Sequence, residues 1–219
     1  MPGPSKRRSA NTTIETADDI ARGCRSLRRR CPHMREIHDR LGDPPLRRRQ
    51  AGFTGLARIV VGQQLSIASA DAIWTRVHTA IAPLGPAAIL KQSEDDLRRL
   101  GLSRPKIRTL RAIAAATAEG RIDFDELYRV SATDIHQQLT ALPGIGPWSA
   151  DIYLMFCLGA CDAFAPGDLA LQEATRLLLD LQERPTPDEL TDIAERWRPW
   201  RAVAARLLWA DYANRRRRT

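Results

Sequence analysis

Every patterned segment of this chain repeats its apolar residues at helical spacing, and no stretch of four or more residues alternates convincingly as a β-strand would. A helix buries one stripe of side chains, so its apolar residues recur every three to four positions. The pattern therefore predicts an all-α fold. Serine at segment starts predicts helix N-caps, as at Ser66 before "IASADAIWTRV". Helices are predicted over residues 16–40, 54–61, 66–81, 93–100, 104–120, 124–130, 131–142, 147–158, 168–181, 187–196 and 200–214.

The charge of the chain indicates an anionic partner. Its 34 Lys and Arg residues outnumber its 26 Asp and Glu residues, which gives a net charge of +8. Most of the excess is arginine, whose planar guanidinium suits bidentate phosphate contacts. Nucleic acid is the favoured partner, although charge also serves solubility. No apolar run approaches the roughly 20 residues of a membrane span, so no membrane partner is expected. The basic N-terminus lacks an apolar signal core, which predicts a cytoplasmic, nucleoid-associated protein in a bacterium or a nuclear one in a eukaryote.

The four cysteines are too few for a disulfide framework in a chain of 219 residues, and reduced thiols are expected. Cys24, Cys31, His33 and His38 follow the spacing C-x6-C-x-H-x4-H. This spacing lacks the paired halves of common zinc sites. The other two cysteines lie four residues apart in an apolar helical run, which indicates one buried face. Structural or incidental roles are therefore predicted for these residues.

A short glycine turn, "LPGIG" at residues 142–146, lies between two helical patterns. Gly144 and Gly146 permit positive φ and close approach of the backbone to another group. Pro147 suits the first position of the next helix, where its missing N–H matters least. Such a turn directs backbone amides outward, where a phosphate can bind. An ordinary helix–helix connection has the same appearance, so the turn by itself does not decide between the two.

The residues that follow the turn carry a more specific signal. The L-P-G-I-G hairpin, the helix from Trp148, and "FAPGD" ending in Asp168 resemble, in order and spacing, the signature of the helix-hairpin-helix (HhH-GPD) superfamily of DNA glycosylases. The segments "VGQQLS" (61–66) and "AERWRPWRAVAARLLW" (194–209) are similar to those of its 3-methyladenine DNA glycosylase II branch. The resemblance covers about residues 50–212. It implies two helical lobes around a DNA-binding cleft, without the N-terminal α/β domain of larger relatives.

The resemblance also implies a domain organisation and a partner. Residues 1–13 are expected to form a disordered basic tail and residues 14–50 an N-terminal helical extension. Residues 51–212 form the glycosylase domain, with two interleaved lobes, and residues 213–219 a second basic tail. That tail is either simply solvated or adds salt-dependent affinity for DNA. The implied partner is double-stranded DNA that contains alkylated bases, bound by a monomer.

A glycosylase cleaves the bond between base and deoxyribose through a sugar with oxocarbenium character. A carboxylate beside the anomeric carbon stabilises the developing charge and orients the attacking water. The resemblance gives this role to Asp168, although a plain N-cap is the alternative for an aspartate that opens a helix. Asp151 and Asp162 lack the match and are interpreted as structural or surface residues. No partner acid is evident, which fits cationic bases such as 3-methyladenine and 7-methylpurines, because they leave without protonation.

The resemblance also assigns residues to the pocket for an extruded base. Trp148 and Trp209 match its walls, and an indole over a cationic base contributes about 0.5–2 kcal/mol. Both indoles would otherwise be core residues. Ile152 stands where some relatives have tyrosine, and Tyr153 follows it, so the shape of this pocket is expected to differ.

Further DNA contacts are expected from two turns and one helix start. Gln63 and Gln64 lie on the turn in "GQQLS", and Gln64 matches the position that wedges into the base stack. A turn residue that satisfies nearby backbone groups is the alternative. The remaining expected contacts are the hairpin residues Leu142, Gly144, Ile145, Gly146 and Ser149, together with Arg104 and Lys106 at a helix start.

Two departures from other relatives, and one feature shared with them, refine the expected function. Trp148 occupies the position of the Schiff-base lysine of bifunctional enzymes, which predicts a monofunctional hydrolase rather than a glycosylase/lyase. No cysteine follows Cys161, so no iron–sulfur cluster and no other cofactor are expected. Relatives hold Na⁺ or K⁺ through hairpin carbonyls, which here would be those of Leu142 and Ile145. A catalytically silent protein that binds damaged DNA remains the alternative from another class.

Overall fold

The computed structural model describes residues 13–217 and is helical throughout, which confirms the predicted all-α class. Between Thr13 and Ala160 lies the one β-bridge of the described chain, and it is isolated. Within the described range, no helix combines the length and apolarity needed to cross a bilayer. The predicted N-terminal tail lies outside the described residues, apart from Thr13.

The α-helices are α1 (Ala17–Arg30), α2 (Pro32–Leu41), α3 (Gly52–Gly62), α4 (Ile67–Ala80), α5 (Pro86–Lys91), α6 (Glu94–Arg99), α7 (Arg104–Ala118), α8 (Ala132–Thr140), α9 (Pro147–Ile152), α10 (Leu169–Leu179), α11 (Pro187–Ala194) and α12 (Arg201–Arg216). Short 3-10 helices cover Glu126–Arg129 and Glu195–Trp197, and a π-helical segment covers Tyr153–Leu158.

The described chain forms two compact units. One combines residues 13–46 with residues 159–217, and the other is the continuous segment 47–158. The N-terminal extension therefore shares a unit with the C-terminal helices, whereas the sequence suggested an extension separate from a domain over 51–212.

In the discontinuous unit, α12 is the most deeply buried helix, because its first turns carry small and branched apolar residues. Trp197 and Trp200 are buried just before it. The predicted single helix over 16–40 is divided at Cys31, because Pro32 lacks an N–H and begins a new helix at its first position. The predicted basic tail from residue 213 continues α12 as far as Arg216, and Arg215 donates to the buried Asp211 at 2.8 Å.

In the continuous unit, α3 is apolar on nearly every side and is buried over most of its length. The Ser66 hydroxyl accepts a hydrogen bond from the Ser69 N–H at 3.2 Å, which confirms the predicted cap of α4. The short helix α5 was not predicted, because Ile89 is its only buried residue and a single apolar position shows no period.

The four cysteines of the chain are buried free thiols, and burial raises the pKa of Cys161 to about 11.

Candidate nucleic-acid site

The hairpin between α8 and α9 is anchored by its two apolar residues. Leu142 and Ile145 are buried, and the Ile145 N–H donates to the Leu142 carbonyl at 3.1 Å to close the turn. Pro147 occupies the first turn of α9, as predicted from its missing N–H. The apolar pair thus holds the turn to the protein while Gly144 and Gly146 remain exposed.

The two glycines of the hairpin differ in their surroundings. Gly144 has a φ of +82°, and a Cβ at this position would lie 1.9 Å from the Thr109 Oγ1 on α7. Gly146 has an ordinary φ of −91°, and a Cβ there would meet nothing within 4 Å. Gly144 is therefore required for packing of the hairpin backbone against α7, whereas Gly146 faces open space.

A side chain of the 62–66 turn holds the hairpin in place. The Gln63 amide donates to the Ser149 Oγ at 2.9 Å and to the Gly144 carbonyl at 3.3 Å. Ser149 is only 2% exposed, and its own N–H donates to the Gly146 carbonyl at 3.0 Å. Both side chains have internal partners, in contrast to the wedge and phosphate contacts predicted for them. The sequence marks polar residues at turns but does not say whether their partner is DNA or the protein itself.

Gln64 is exposed on this turn and adopts a φ of +55°. A left-handed conformation is uncommon for a residue other than glycine. The exposed apolar side chains beside it were missed by sequence reasoning: Leu65 is 39% exposed and Ile67 is 78% exposed. Their signal was an apolar residue on each side of the Ser66 cap. Apolar side chains are the usual wedges between DNA bases, so these two join Gln64 as candidates.

Ile152 and Tyr153, which were predicted to line the base pocket, lie in the interior of the protein. Both are buried, and the Tyr153 oxygen accepts a hydrogen bond from the Gly52 N–H at 2.8 Å. Burial also raises the pKa of Tyr153. Tyr153 is buried because it begins a π-helical segment in which all six residues are buried. Trp148, at the second position of α9, is half-buried.

The two cationic residues at the start of α7 have different surroundings. The Lys106 ammonium donates to the Val61 carbonyl at 2.7 Å, which satisfies a backbone group at the C-terminus of α3. Desolvation lowers the pKa of Lys106. Arg104 is exposed and lies 3.6 Å from the Glu94 carboxylate. Lys106 therefore acts as a helix cap in this structure rather than as the outward contact that was predicted, whereas Arg104 faces solvent.

Asp168 caps α10 and is also bound by an indole. Its Oδ1 accepts hydrogen bonds from the Ala170 and Leu171 N–H groups, each at 3.0 Å. The Trp209 Nε1–H donates to the same oxygen at 3.0 Å. An ordinary N-cap explains the two backbone bonds but not the third. The structure thus joins Asp168 and Trp209, which the sequence had assigned to one site from separate motifs.

The loop before Asp168 is fixed as well. The Gln172 amide donates to the Pro166 carbonyl at 2.8 Å, so the Pro-Gly pair is held against the first turns of α10. Leu169, directly after Asp168, is 63% exposed, and sequence reasoning did not single it out. Asp162, which was interpreted as structural, lies 2.9 Å from Arg201 and 2.7 Å from Arg198 in an ion-pair network.

Comparisons with known proteins agree with this architecture. The model of the HhH-GPD superfamily base excision DNA repair protein matches residues 57–199. The "DNA-3-methyladenine glycosylase 1" of Schizosaccharomyces pombe is 34% identical over 172 residues, which are 74% of this chain and 75% of that protein. The "DNA-3-methyladenine glycosylase" of Bacillus subtilis is 30% identical over 121 residues, which are 55% of this chain but only 40% of that protein.

A solved structure of a 3-methyladenine DNA glycosylase matches the fold of this chain. The S. pombe 3-methyladenine DNA glycosylase Mag1 in complex with abasic DNA superimposes with a TM-score of 0.80 and 28% identity, over 86% of this chain and 95% of that chain. The chain belongs to the HhH-GPD superfamily of base excision DNA repair proteins.

Proposed function

We propose that this protein is a monofunctional DNA glycosylase that hydrolyses the N-glycosylic bond of alkylated bases, such as 3-methyladenine and 7-methylpurines, extruded from duplex DNA. The family and the names of its relatives support this function. The observation that carries it is the third hydrogen bond to Asp168, from the Trp209 indole. A carboxylate that served only as a cap would not need an aromatic donor fixed on its oxygen.

Asp168 stabilises positive charge on the sugar as the bond between base and C1′ breaks. The departing base takes the electron pair of that bond, so a cationic alkylated purine leaves as a neutral molecule. Water then adds to C1′ and gives up one proton, which the carboxylate accepts. Three N–H donors hold Oδ1 in one orientation, so little reorganisation is required when charge develops.

The exposed hairpin turn binds the DNA backbone next to the lesion. Its glycine amides approach a phosphate without obstruction by side chains. A sodium or potassium ion held by the Leu142 and Ile145 carbonyls would add positive charge at this phosphate. The Leu142 carbonyl already accepts the Ile145 N–H, but a carbonyl oxygen has two lone pairs, so the residues present fit such an ion.

Replacement of Asp168 by asparagine tests the proposal. Asparagine caps helices as well as aspartate does, so the melting temperature should change little, while the negative charge is lost. Base release from methylated duplex DNA should fall about a hundredfold or more. Asp188→Asn, an exposed acidic residue in the first turn of α11, is the matched control and should retain full activity. Full release by Asp168→Asn would exclude the mechanism.

A silent binder of damaged DNA is the second candidate, favoured by the burial of Ile152 and Tyr153, which removes two predicted residues from the pocket. This candidate predicts tight binding to abasic DNA without base release. Strand scission separates the remaining alternative, because a monofunctional enzyme leaves abasic sites that break only after alkali. A lyase would nick the strand directly and would be trapped on DNA by borohydride.

A further inference from the structure

Three side chains with metal-binding chemistry meet in the N-terminal segment, outside the part matched by the family model. They are Cys24 on α1, His38 in the last turn of α2, and Asp43 just after α2. One ligand atom from each lies within 4.8 Å of the others. We propose that this cluster binds a divalent transition-metal ion of the zinc class, which links α1, α2 and the segment that follows them.

The backbone after α2 brings the carboxylate into place. Gly42 ends the helix with a φ of +71°, a conformation that glycine adopts without strain. The next residue, Asp43, returns toward the helix, and its Oδ1 lies 2.6 Å from the His38 Nε2. The Cys24 Sγ, which is fully buried, lies within 4.8 Å of the ligand atoms of both residues. A thiol and an imidazole thus lie close to one carboxylate, at the position that a cation would take.

The donor set selects the class of metal. Thiolate, imidazole and carboxylate are the ligands of zinc, whereas magnesium and calcium prefer oxygen donors alone. Three protein ligands leave a fourth position for water, and Asp43 is exposed, so water reaches the site. The Cys–His spacing gave no sign of these three ligands, because Asp43 is a carboxylate outside that spacing, and Cys31 and His33 are not among the ligands.

Binding of the ion requires one proton to leave and one to move. The Arg28 guanidinium lies 2.6 Å from the His38 Nδ1 and has no acceptor, so Nδ1 accepts and the ring proton is on Nε2. When the metal binds Nε2, this proton moves to Nδ1, so the hydrogen bond from Arg28 to Nδ1 breaks and Arg28 retains only its ion pair with Asp39. The thiol proton of Cys24 is released to solvent, so apparent affinity should rise with pH.

The test uses the full chain without a tag, stripped of metal by a chelator. Titration with Co²⁺ should produce a thiolate-to-cobalt charge-transfer band that saturates at one ion per chain and disappears when Zn²⁺ is added. Zn²⁺ at a large excess over its dissociation constant should raise the melting temperature by about 5 °C or more. Absence of the band from the wild-type protein would overturn the proposal.

Variants assign the band to the cluster. Cys24→Ser and His38→Asn should abolish it, whereas Cys31→Ser and His33→Asn, which lie between those residues in the sequence, should leave it unchanged. Asp43→Asn alters an exposed residue, preserves folding and should lower Co²⁺ affinity by about tenfold or more. A band that survives in Cys24→Ser and His38→Asn, or an unchanged affinity in Asp43→Asn, would refute the site.

Discussion

Replacement of Gly144 by alanine adds one methyl group where the hairpin backbone packs against α7. At a φ of +82°, an L-residue other than glycine pays about 1–2 kcal/mol. The new Cβ would lie 1.9 Å from the Thr109 Oγ1 and 2.9 Å from its Cβ and Cγ2. Thr109 is a buried β-branched residue on a helix, so it has few other rotamers into which it could move.

The expected loss of stability follows from these two costs. Overpacking of a well-packed contact costs about 1–3 kcal/mol, so the free energy of unfolding should fall by about 2–5 kcal/mol in total. For a chain of this size, each kcal/mol lowers the melting temperature by about 2–4 °C, which gives a decrease of about 4–20 °C. Gly146→Ala has neither cost, because its φ is ordinary and its Cβ meets nothing, so its stability should change by less than about 0.5 kcal/mol.

Thermal and urea unfolding of both variants, followed by circular dichroism, measures the difference. Thr109→Ala in the Gly144→Ala background removes Oγ1 and Cγ2 and should restore part of the loss. Binding to abasic DNA separates stability from function, because Gly146→Ala should weaken it while the protein remains stable. A loss below about 1 kcal/mol for Gly144→Ala, or an equal loss for Gly146→Ala, would refute the reasoning.

Three further outcomes are expected. Lys106→Met should cost about 1–2 kcal/mol of stability because the Val61 carbonyl loses its donor, while the salt dependence of DNA binding stays unchanged. Gln63→Ala removes the bonds that join its turn to Ser149 and the hairpin, so stability should fall by about 1 kcal/mol and binding to abasic DNA should weaken. Asp19 has its pKa lowered from 3.8 to about 2, chiefly by backbone N–H groups, so its stabilisation is complete above pH 3.8 and is lost as pH falls toward 2. Asp19→Asn should therefore cost about 1–2 kcal/mol at pH 7 and progressively less as pH falls through 2, as acid unfolding curves would reveal.

The sequence predicted most helices because each has a cap or an apolar period of its own. It could not predict the π-helical segment from Tyr153, because an unbroken apolar run fits any buried helix equally well. The pocket role of Tyr153 was implied by the resemblance, because Ile152 before it stands where some relatives have tyrosine, and an aromatic residue at such a place is either core or pocket wall. Only three-dimensional packing distinguishes the two.

The candidate site could be predicted only in part, because its contacts also depend on three-dimensional packing. Motif order pointed to Asp168 and Trp209 separately, but their hydrogen bond joins residues 41 positions apart and depends on the packing of α12. The inward bond of Lys106 was not predicted, and that of Gln63 was only the alternative to a DNA wedge, because a polar side chain at a turn or helix start suits a phosphate and a backbone carbonyl equally well. The basic composition of the chain favoured DNA as the partner of these two side chains, whereas in the structure both donate to backbone carbonyls of the protein.

The division of the chain into a continuous unit and a discontinuous one has a consequence for synthesis on the ribosome. The segment that carries the hairpin is complete once residue 158 has emerged, so it can assemble early. The other unit waits for α12, whose Trp209 orients Asp168. If the hairpin binds the DNA backbone and Asp168 acts at the glycosylic bond as proposed, a nascent chain completes its DNA-binding segment before its catalytic unit, and termination before α12 would leave DNA binding without base release.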